Sequence, residues 1–226
     1  MNSCYGVNPM KTSNALHRLI VSVLAIATVL ALSGCLSKPP LHKQTFTFGA
    51  PATASRSAAG DDRVLGIRHL RIAPPFDGRS LVYRTGEYSY VRDPYAEFLD
   101  PPEEEMIAPV CGWLRLTGGF SNVVDAASAL KPSTVVEISV TELYGDFRRP
   151  EHPCAVVTMG LVFFEATNGV PTRPILQQEY SRSLPITAPS AAALMEGWNQ
   201  AFRGIFAQVA SDLRRSPSTT ALTKNK

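Results

Sequence analysis

Apolar residues alternate with polar ones along much of the chain, whereas two longer stretches repeat their apolar residues with a helical period. Alternation or an unbroken apolar run predicts β-strands at residues 45–48, 64–73, 81–84, 88–91, 120–124, 134–144, 154–164 and 175–186. Within 64–73 the alternation changes phase near His69, and we therefore predict a β-bulge at that point.

The last two predicted strands differ in polarity. Residues 154–164 are apolar in both phases, which is typical of a central strand covered on both faces. Residues 175–186 have one polar face, formed by Gln177, Glu179, Ser181 and Ser183. Asn168-Gly169 lies between the two strands and predicts a tight turn, so we expect them to pair antiparallel.

The first helical stretch begins at residues 100–103. Asp100 predicts the N-cap, Pro101 the first helical position and Glu103 the acidic residue of a capping box. Gly118-Gly119 predicts the end of the helix. The acidic run 103–105 lies in the first turn, where the helix dipole favours negative charge, and this explanation outweighs a catalytic or metal-binding one.

The second helical stretch begins at Pro189 or Ser190 and continues over about five turns. Its predicted buried face contains Leu194, Trp198, Ala201, Phe202, Ile205, Val209 and Leu213. Gly197 and Gly204 each cost roughly 1 kcal/mol relative to Ala in a helix. We therefore expect these two glycines to allow a close approach between the helix and a sheet.

Residues 76–95 predict a β-hairpin whose turn is Thr85-Gly86-Glu87. Tyrosine combines a large contact area with a polar tip, which suits an interface. The candidate partner-binding residues are Arg84, Tyr88, Tyr90 and Arg92. Alternation places the last three of these on one face. The alternative, in which Tyr83 and Tyr90 pack against their own sheet, stays equally open.

The N-terminal region contains an uncharged apolar stretch, residues 19–32, preceded by Lys11 and Arg18. A bilayer-spanning helix needs roughly 20 apolar residues, so this shorter stretch suits the core of a secretory signal. It ends in Leu32-Ser33-Gly34-Cys35, which matches the bacterial lipobox. We predict cleavage before Cys35 and lipidation of its thiol, in preference to a retained membrane helix. Translation from Met1 and from Met10 are both compatible with this pattern.

These features divide the chain into four regions. We predict a lipoprotein signal peptide at 1–34, a lipidated tether at 35–43, a folded domain at 44–215 and a disordered polar tail at 216–226. In similar enterobacterial lipoproteins an Asp directly after the lipidated Cys retains the protein in the inner membrane. Leu36 stands at this position, so we expect an outer-membrane protein that faces the periplasm.

Composition and motifs exclude several functional classes. Without residues 1–34, the chain has 20 basic and 19 acidic residues, and no basic stripe indicates nucleic acid. The histidines are scattered and no zinc, nucleophile or phosphate-loop motif is present, so we predict no catalysis, no metal and no cofactor. Cys111 and Cys154 remain as two buried thiols or, alternatively, as a disulfide.

Short motifs are spread over Thr45–Leu213: APPF at 73–76, LVYR at 81–84, LQQEY at 176–180, and an Ala-rich final helix. Together with Tyr95 and Pro101, their order and spacing resemble the ABC-type transport auxiliary lipoproteins, the family of paraquat-inducible protein C. Phe98 stands where that family usually has Trp.

The resemblance implies a compact α/β domain with a mixed β-sheet and packed helices, similar to the N-terminal domain of TolB. It also implies a non-catalytic role beside a mammalian-cell-entry protein and an ABC permease with its ATPase, which move lipid between the two membranes. A competing hypothesis is a scaffold or regulator of envelope biogenesis that binds a cell-wall synthesis enzyme or a TolB-like partner.

Overall fold

The computed structural model describes residues 18–19, 21–22, 43–49, 63–117 and 119–216. The chain divides into two units, Met1–His42 and Lys43–Lys226, and every strand described belongs to the second. The predicted lipidation site Cys35 and the tail beyond Ser216 lie outside the described residues. None of the described helices has the length and apolarity that crossing a membrane would require.

In the second unit, the described residues form eight strands and two helices. These are β1 (Gln44–Phe46), β2 (Val64–Ile72), β3 (Ser80–Arg84), β4 (Tyr90–Phe98), α1 (Pro102–Leu116), β5 (Asn122–Val124), β6 (Thr134–Asp146), β7 (Cys154–Thr167), β8 (Val170–Pro185) and α2 (Ala191–Arg215). Every predicted strand has a counterpart, but β4 begins two residues later than predicted and continues seven residues further.

Strand β6 pairs with three neighbours and organises the sheet. Strand β7 pairs antiparallel along the whole of one edge. The other edge is shared, because β2 pairs parallel with the first half of β6 and β3 pairs parallel with its last two residues. From there the sheet continues through β2 to β5 and through β3 to β4 and β1, while β8 pairs antiparallel with β7. This mixed sheet with its two helices confirms the predicted fold class.

The predicted bulge in β2 is present. The register with β6 shifts between Ile67 and His69. A shift of one residue turns the following side chains to the other face, and this allows Leu65 and Leu70 both to be buried although they lie in opposite phases. At the far end of the sheet, Asn168 and Gly169 both have positive φ, which confirms the predicted tight turn between β7 and β8.

The predicted start of α1 is wrong by one residue. Pro101 occupies the N-cap with extended backbone and no side-chain cap, and Pro102 takes the first helical position. The Asp100 amide donates instead to Glu105 Oε1 over 2.7 Å. Two consecutive prolines remove two of the N–H groups that a cap would otherwise satisfy, so this helix begins without the predicted Asp100 cap.

Helix α2 supplies much of the core, as its period predicts. Ser190 is the N-cap, and its hydroxyl accepts a hydrogen bond from the Ala193 amide. Trp198 is 0% exposed, and its indole N–H donates to the Val156 carbonyl over 3.2 Å. Because the ring of Trp113 in α1 stacks on Phe202 in α2, the two helices share one face of the sheet.

On the opposite face of the sheet, polar side chains meet where β6, β7 and β8 pair. Thr158 on β7 donates to the Glu142 carboxylate and shares a hydrogen bond with the Ser181 hydroxyl, which links β6, β7 and β8. Strand β7 is therefore central in its pairing, as predicted. The last helix, α2, packs against β7 on one face, and the prediction that a second layer covers the other face stays a prediction.

The two glycines of α2 have different surroundings. A Cβ at Gly197 would lie 2.6 Å from the Ala155 Cβ and 2.5 Å from the Ile186 Cγ2, so the expected close approach to the sheet is confirmed there. A Cβ at Gly204 would have the Arg182 Nε, 3.6 Å away, as its nearest neighbour. The expectation is wrong for Gly204, because that distance is an ordinary contact.

Two smaller features of the domain also differ from the predictions. Cys111 and Cys154 are free thiols, and only Cys111 is buried; burial raises the pKa of its thiol. Ser216 was assigned to the disordered tail, yet it is buried and its hydroxyl donates to the Ile175 carbonyl over 3.0 Å. The ordered domain therefore continues one residue past the predicted boundary.

Candidate docking surface

The β3–β4 hairpin has a turn that is fixed by hydrogen bonds. Tyr83 pairs with Val91 and Arg84 with Tyr90 in antiparallel register, and the Thr85 amide donates to the Ser89 carbonyl over 3.0 Å. The Arg84 guanidinium donates to the carbonyls of residues 86 and 87, at 3.3 and 2.7 Å. The Arg84 side chain therefore stabilises the turn conformation.

Tyr88 projects from this turn. It is 88% exposed, and it has no hydrogen bond or ring contact with any described residue. The prediction that Tyr88, Tyr90 and Arg92 share a strand face is wrong, because β4 begins only at Tyr90 and Tyr88 belongs to the turn. An aromatic side chain held in water at the tip of an ordered turn is available for contact with another molecule.

Tyr90 packs in part against other side chains of the domain. It is 45% exposed, and its ring meets Phe76 and Tyr144 edge-on at centroid distances of 6.1 and 5.5 Å. We call Phe76, Tyr90 and Tyr144 the aromatic cluster. The Arg84 Cζ lies 5.9 Å from the centroid of the Tyr90 ring, within cation–π range. Tyr90 is thus a packing residue with one exposed edge.

Tyr83 is the clearer case of a hairpin tyrosine that packs on its own sheet. Its ring stacks on Phe147 at 4.6 Å, and its hydroxyl donates to the Asp93 carboxylate. Burial, together with the negative charge of Asp93, raises the pKa of this phenol well above its ordinary value. The alternative prediction, that these tyrosines pack against their own sheet, is therefore correct for Tyr83 and partly correct for Tyr90.

Arg92 has a structural contact as well. Its guanidinium donates to the Pro75 carbonyl over 3.1 Å, and its Nη1 would lie 2.7 Å from a Cβ at Gly78. Arg92 thus fixes the loop that enters β3. Of the four candidate residues, Tyr88 alone projects freely, Tyr90 presents one edge, and Arg84 and Arg92 hold the hairpin in place.

Strand β4 forms a sheet edge next to the tip. Strand β1 pairs with residues 96–98 and β3 pairs with residues 90–92 and 97, so no described strand pairs with residues 93–95. The Asp93 Oδ1 accepts from the Tyr95 and Ala96 amides at 2.7 and 3.0 Å, and Pro94 has no N–H. These features leave few donors for an added strand, so contact here depends on side chains.

Sequence reasoning missed two exposed side chains beside the tip. Val91 and Tyr95 are each about half exposed on β4, where Val91 lies on the opposite strand face from Tyr90. Pro94 was the available signal, because a proline inside a strand indicates an edge. We call Tyr88, Tyr90, Val91 and Tyr95 the hairpin surface.

An ion pair lies at the end of β6, where Asp146 pairs in register with Arg84 of the hairpin. Arg148 donates to both carboxylate oxygens of Asp146, and this pairing lowers the pKa of the carboxyl group. Burial raises the pKa of the nearby Tyr144 phenol.

In the described part of the chain, no group of three or more His, Cys, Asp or Glu side chains is placed to hold a metal ion.

Comparison with known proteins supports the fold. No protein-family model matches the chain, and no curated protein matches it. A crystal structure of a Xanthomonas campestris protein of family DUF330 is similar, with a TM-score of 0.60, 13% identity, and coverage of 74% of this chain and 92% of that one. A crystal structure of an uncharacterised protein has a TM-score of 0.60, 14% identity, and coverage of 76% and 99%.

These likenesses show a shared fold. A lipoprotein from Neisseria meningitidis is also similar, with 12% identity and coverage of 67% of this chain and 99% of that one, but its TM-score of 0.37 is too low to carry an argument. The likeness to the N-terminal domain of TolB stays a prediction.

Proposed function

We propose that this protein is a non-catalytic lipoprotein, anchored in the outer membrane through Cys35 and facing the periplasm. It serves as an accessory component of an intermembrane lipid-transport system, beside a mammalian-cell-entry protein and an ABC permease with its ATPase. The lipobox ending at Cys35 supports the anchor, and the motifs at 73–76 and 81–84 support the transport family.

The observation that carries the docking proposal is the exposure of Tyr88 on a fixed turn. Aromatic residues are enriched among interface positions whose truncation costs about 2 kcal/mol or more, which corresponds to about thirtyfold in affinity. A turn already ordered by Arg84 loses little conformational freedom on binding, so more of the contact energy appears as affinity.

The experiment is capture of the periplasmic domain of the mammalian-cell-entry protein by the full-length lipoprotein, measured by interferometry. Tyr88→Ala, alone and with Tyr90→Ala, weakens capture by about thirtyfold if Tyr88 is a central contact. The single substitution is the sharper test, because the Tyr88 side chain is 88% exposed and its loss should leave the melting temperature unchanged.

The matched control is Gln177→Ala with Glu179→Ala, a double change on the exposed polar face of β8 that should leave capture unchanged. Normal capture by Tyr88→Ala would exclude the hairpin surface as the docking site. If the wild-type protein captures a cell-wall synthesis enzyme and no mammalian-cell-entry protein, the envelope-scaffold hypothesis replaces the transport one.

A further inference from the structure

A cavity of about 340 Å³ opens at the other end of β6 from the hairpin. Thr134, the first residue of β6, lines the cavity, whereas Gly145 and Asp146 at its end pair with β3. A strand rises about 3.3 Å per residue, so roughly 35–40 Å separate the cavity from the hairpin. The cavity is therefore a different surface from the hairpin surface.

Apolar side chains from distant parts of the chain form the cavity floor. Phe120 follows α1, Ile175 lies in β8, and Ala210 and Leu213 lie in the last two turns of α2. All four residues are also buried in the hydrophobic core or packed against it, so core side chains hold the cavity floor in place. Such a concave apolar surface with a few polar groups is typical of small-molecule sites.

The charged groups that line the cavity are mainly cationic. The Arg63 Cζ lies 5.7 Å from the centroid of the Phe120 ring, and Arg214 Nη1 makes a long 3.4 Å hydrogen bond to the Thr117 carbonyl. The one acidic lining residue, Glu165, is already paired with the Arg173 guanidinium. Two arginines therefore line an apolar pocket, and the one carboxylate among its described lining residues is paired with Arg173.

We propose that this cavity binds a single-chain anionic amphiphile, with its chain on the Phe120–Leu213 floor and its carboxylate or phosphate head at Arg63 and Arg214. Guanidinium groups bind both kinds of head through charge-assisted hydrogen bonds. A water molecule occupies about 30 Å³ in the liquid, so the volume accommodates about eleven atoms of that size. A chain of about ten carbons fits this space. The site goes beyond the docking function and does not depend on it.

The test is photolabelling of the full chain in phosphatidylcholine nanodiscs, with decanoic acid that carries a terminal diazirine as the probe. Mass spectrometry is expected to place the label on peptides that contain Phe120, Ile175 or Leu213. Excess decanoate and decyl phosphate should compete with the probe, and decanol should compete at least about tenfold more weakly, because it lacks the charge.

Two neighbouring arginines of α2 give a matched pair of variants. Arg214→Gln should weaken labelling by about tenfold, whereas Arg215→Gln should leave it unchanged, since Arg215 does not line the cavity. Tyr88→Ala should also label normally, which separates this inference from the docking proposal. Thermal melts of each variant confirm that the domain is folded.

Added phosphatidylglycerol in the nanodiscs distinguishes the two sources of such a ligand. Reduced labelling indicates that a bilayer lipid chain enters the cavity, and unchanged labelling indicates a free amphiphile; both results support the site. Labelling that does not saturate, that falls on other peptides, or that decanol removes as well as decanoate does would overturn the proposal.

Discussion

Adding one methyl group at each of the two glycines of α2 should change stability in opposite directions. At Gly204 an alanine side chain meets only the Arg182 Nε, at 3.6 Å, so the helix-propensity gain of about 0.5–1 kcal/mol is retained. At Gly197 the same methyl would lie 2.6 Å from the Ala155 Cβ and 2.5 Å from the Ile186 Cγ2. Both contacts are about 1 Å or more inside the ordinary carbon–carbon contact distance of about 3.5–4.0 Å.

The cost at Gly197 follows from what would have to move. The Ala155 Cβ is attached directly to the backbone of the central strand β7 and cannot rotate away. Overpacking of this kind costs about 1–3 kcal/mol, of which the propensity gain offsets about 1. We therefore expect Gly197→Ala to lower the free energy of unfolding by up to about 2 kcal/mol and Gly204→Ala to raise it by about 0.5–1 kcal/mol.

The assay is urea denaturation of the two variants and the wild-type domain, followed by the fluorescence of the buried tryptophans. The two midpoints should fall on opposite sides of the wild-type value, with unchanged slopes. If Gly197→Ala were as stable as Gly204→Ala, the close approach of α2 to β7 would not exist and the reasoning would be refuted.

Three further perturbations test the core, one ion pair and the anchor. Trp198→Ala should lower the free energy of unfolding by about 3–5 kcal/mol, since the side chain is fully buried. Glu104→Ala, on the exposed first turn of α1, should lower it by under about 1 kcal/mol. Urea melts that show equal losses for the two variants would contradict this. Because Arg148 lowers the pKa of Asp146, the ion pair stabilises the domain at pH values above the ordinary Asp pKa of 3.8, and this stabilisation is lost as the pH falls through the lowered pKa. The melting temperature of Asp146→Asn should therefore fall less than that of the wild type over that acidic range. Cys35→Ala should abolish incorporation of radioactive palmitate into the protein, and equal incorporation would exclude lipidation at this residue.

Local patterns predicted much of the secondary structure because they depend on neighbours along the chain. The helical period of α2 identified Trp198 and the other fully buried residues, since only one face of a surface helix contacts the core. Asn168-Gly169 predicted its turn because both positions need positive φ. The change of phase near His69 predicted a bulge that the pairing with β6 confirms.

The limits of β4 were predicted poorly, for a physical reason. Residues 92–94 are polar or proline and do not resemble a strand. Pairing with β3 at residues 90–92 and with β3 and β1 at residues 96–98 holds both ends of this segment in the sheet. Strand formation depends on the partner as much as on the residue, so an edge strand of this kind is hard to recognise locally. The same limit placed Tyr88 in a strand although it lies in the turn.

The candidate docking residues also show what can be predicted from the sequence and what requires the tertiary structure. Sequence alone selected the hairpin and its tyrosines and arginines, because residue type and spacing are visible in the chain. Only the tertiary structure distinguished Tyr88, which is free, from Arg84 and Arg92, whose donors are used by nearby carbonyls. Those contacts depend on where the Pro75 loop and the turn lie in space.

By itself, the sequence determined the order of strands and helices, their buried faces and the lipobox that ends at Cys35, since each follows from short-range pattern or a local motif. The tertiary structure decided that β2 and β3 share one edge of β6, and that the loop after α1, the end of α2 and the ends of three strands line a cavity. Phe120 and Leu213 are far apart in the chain, and their meeting depends on how the whole sheet and both helices pack. No periodicity or local motif records such a long-range contact.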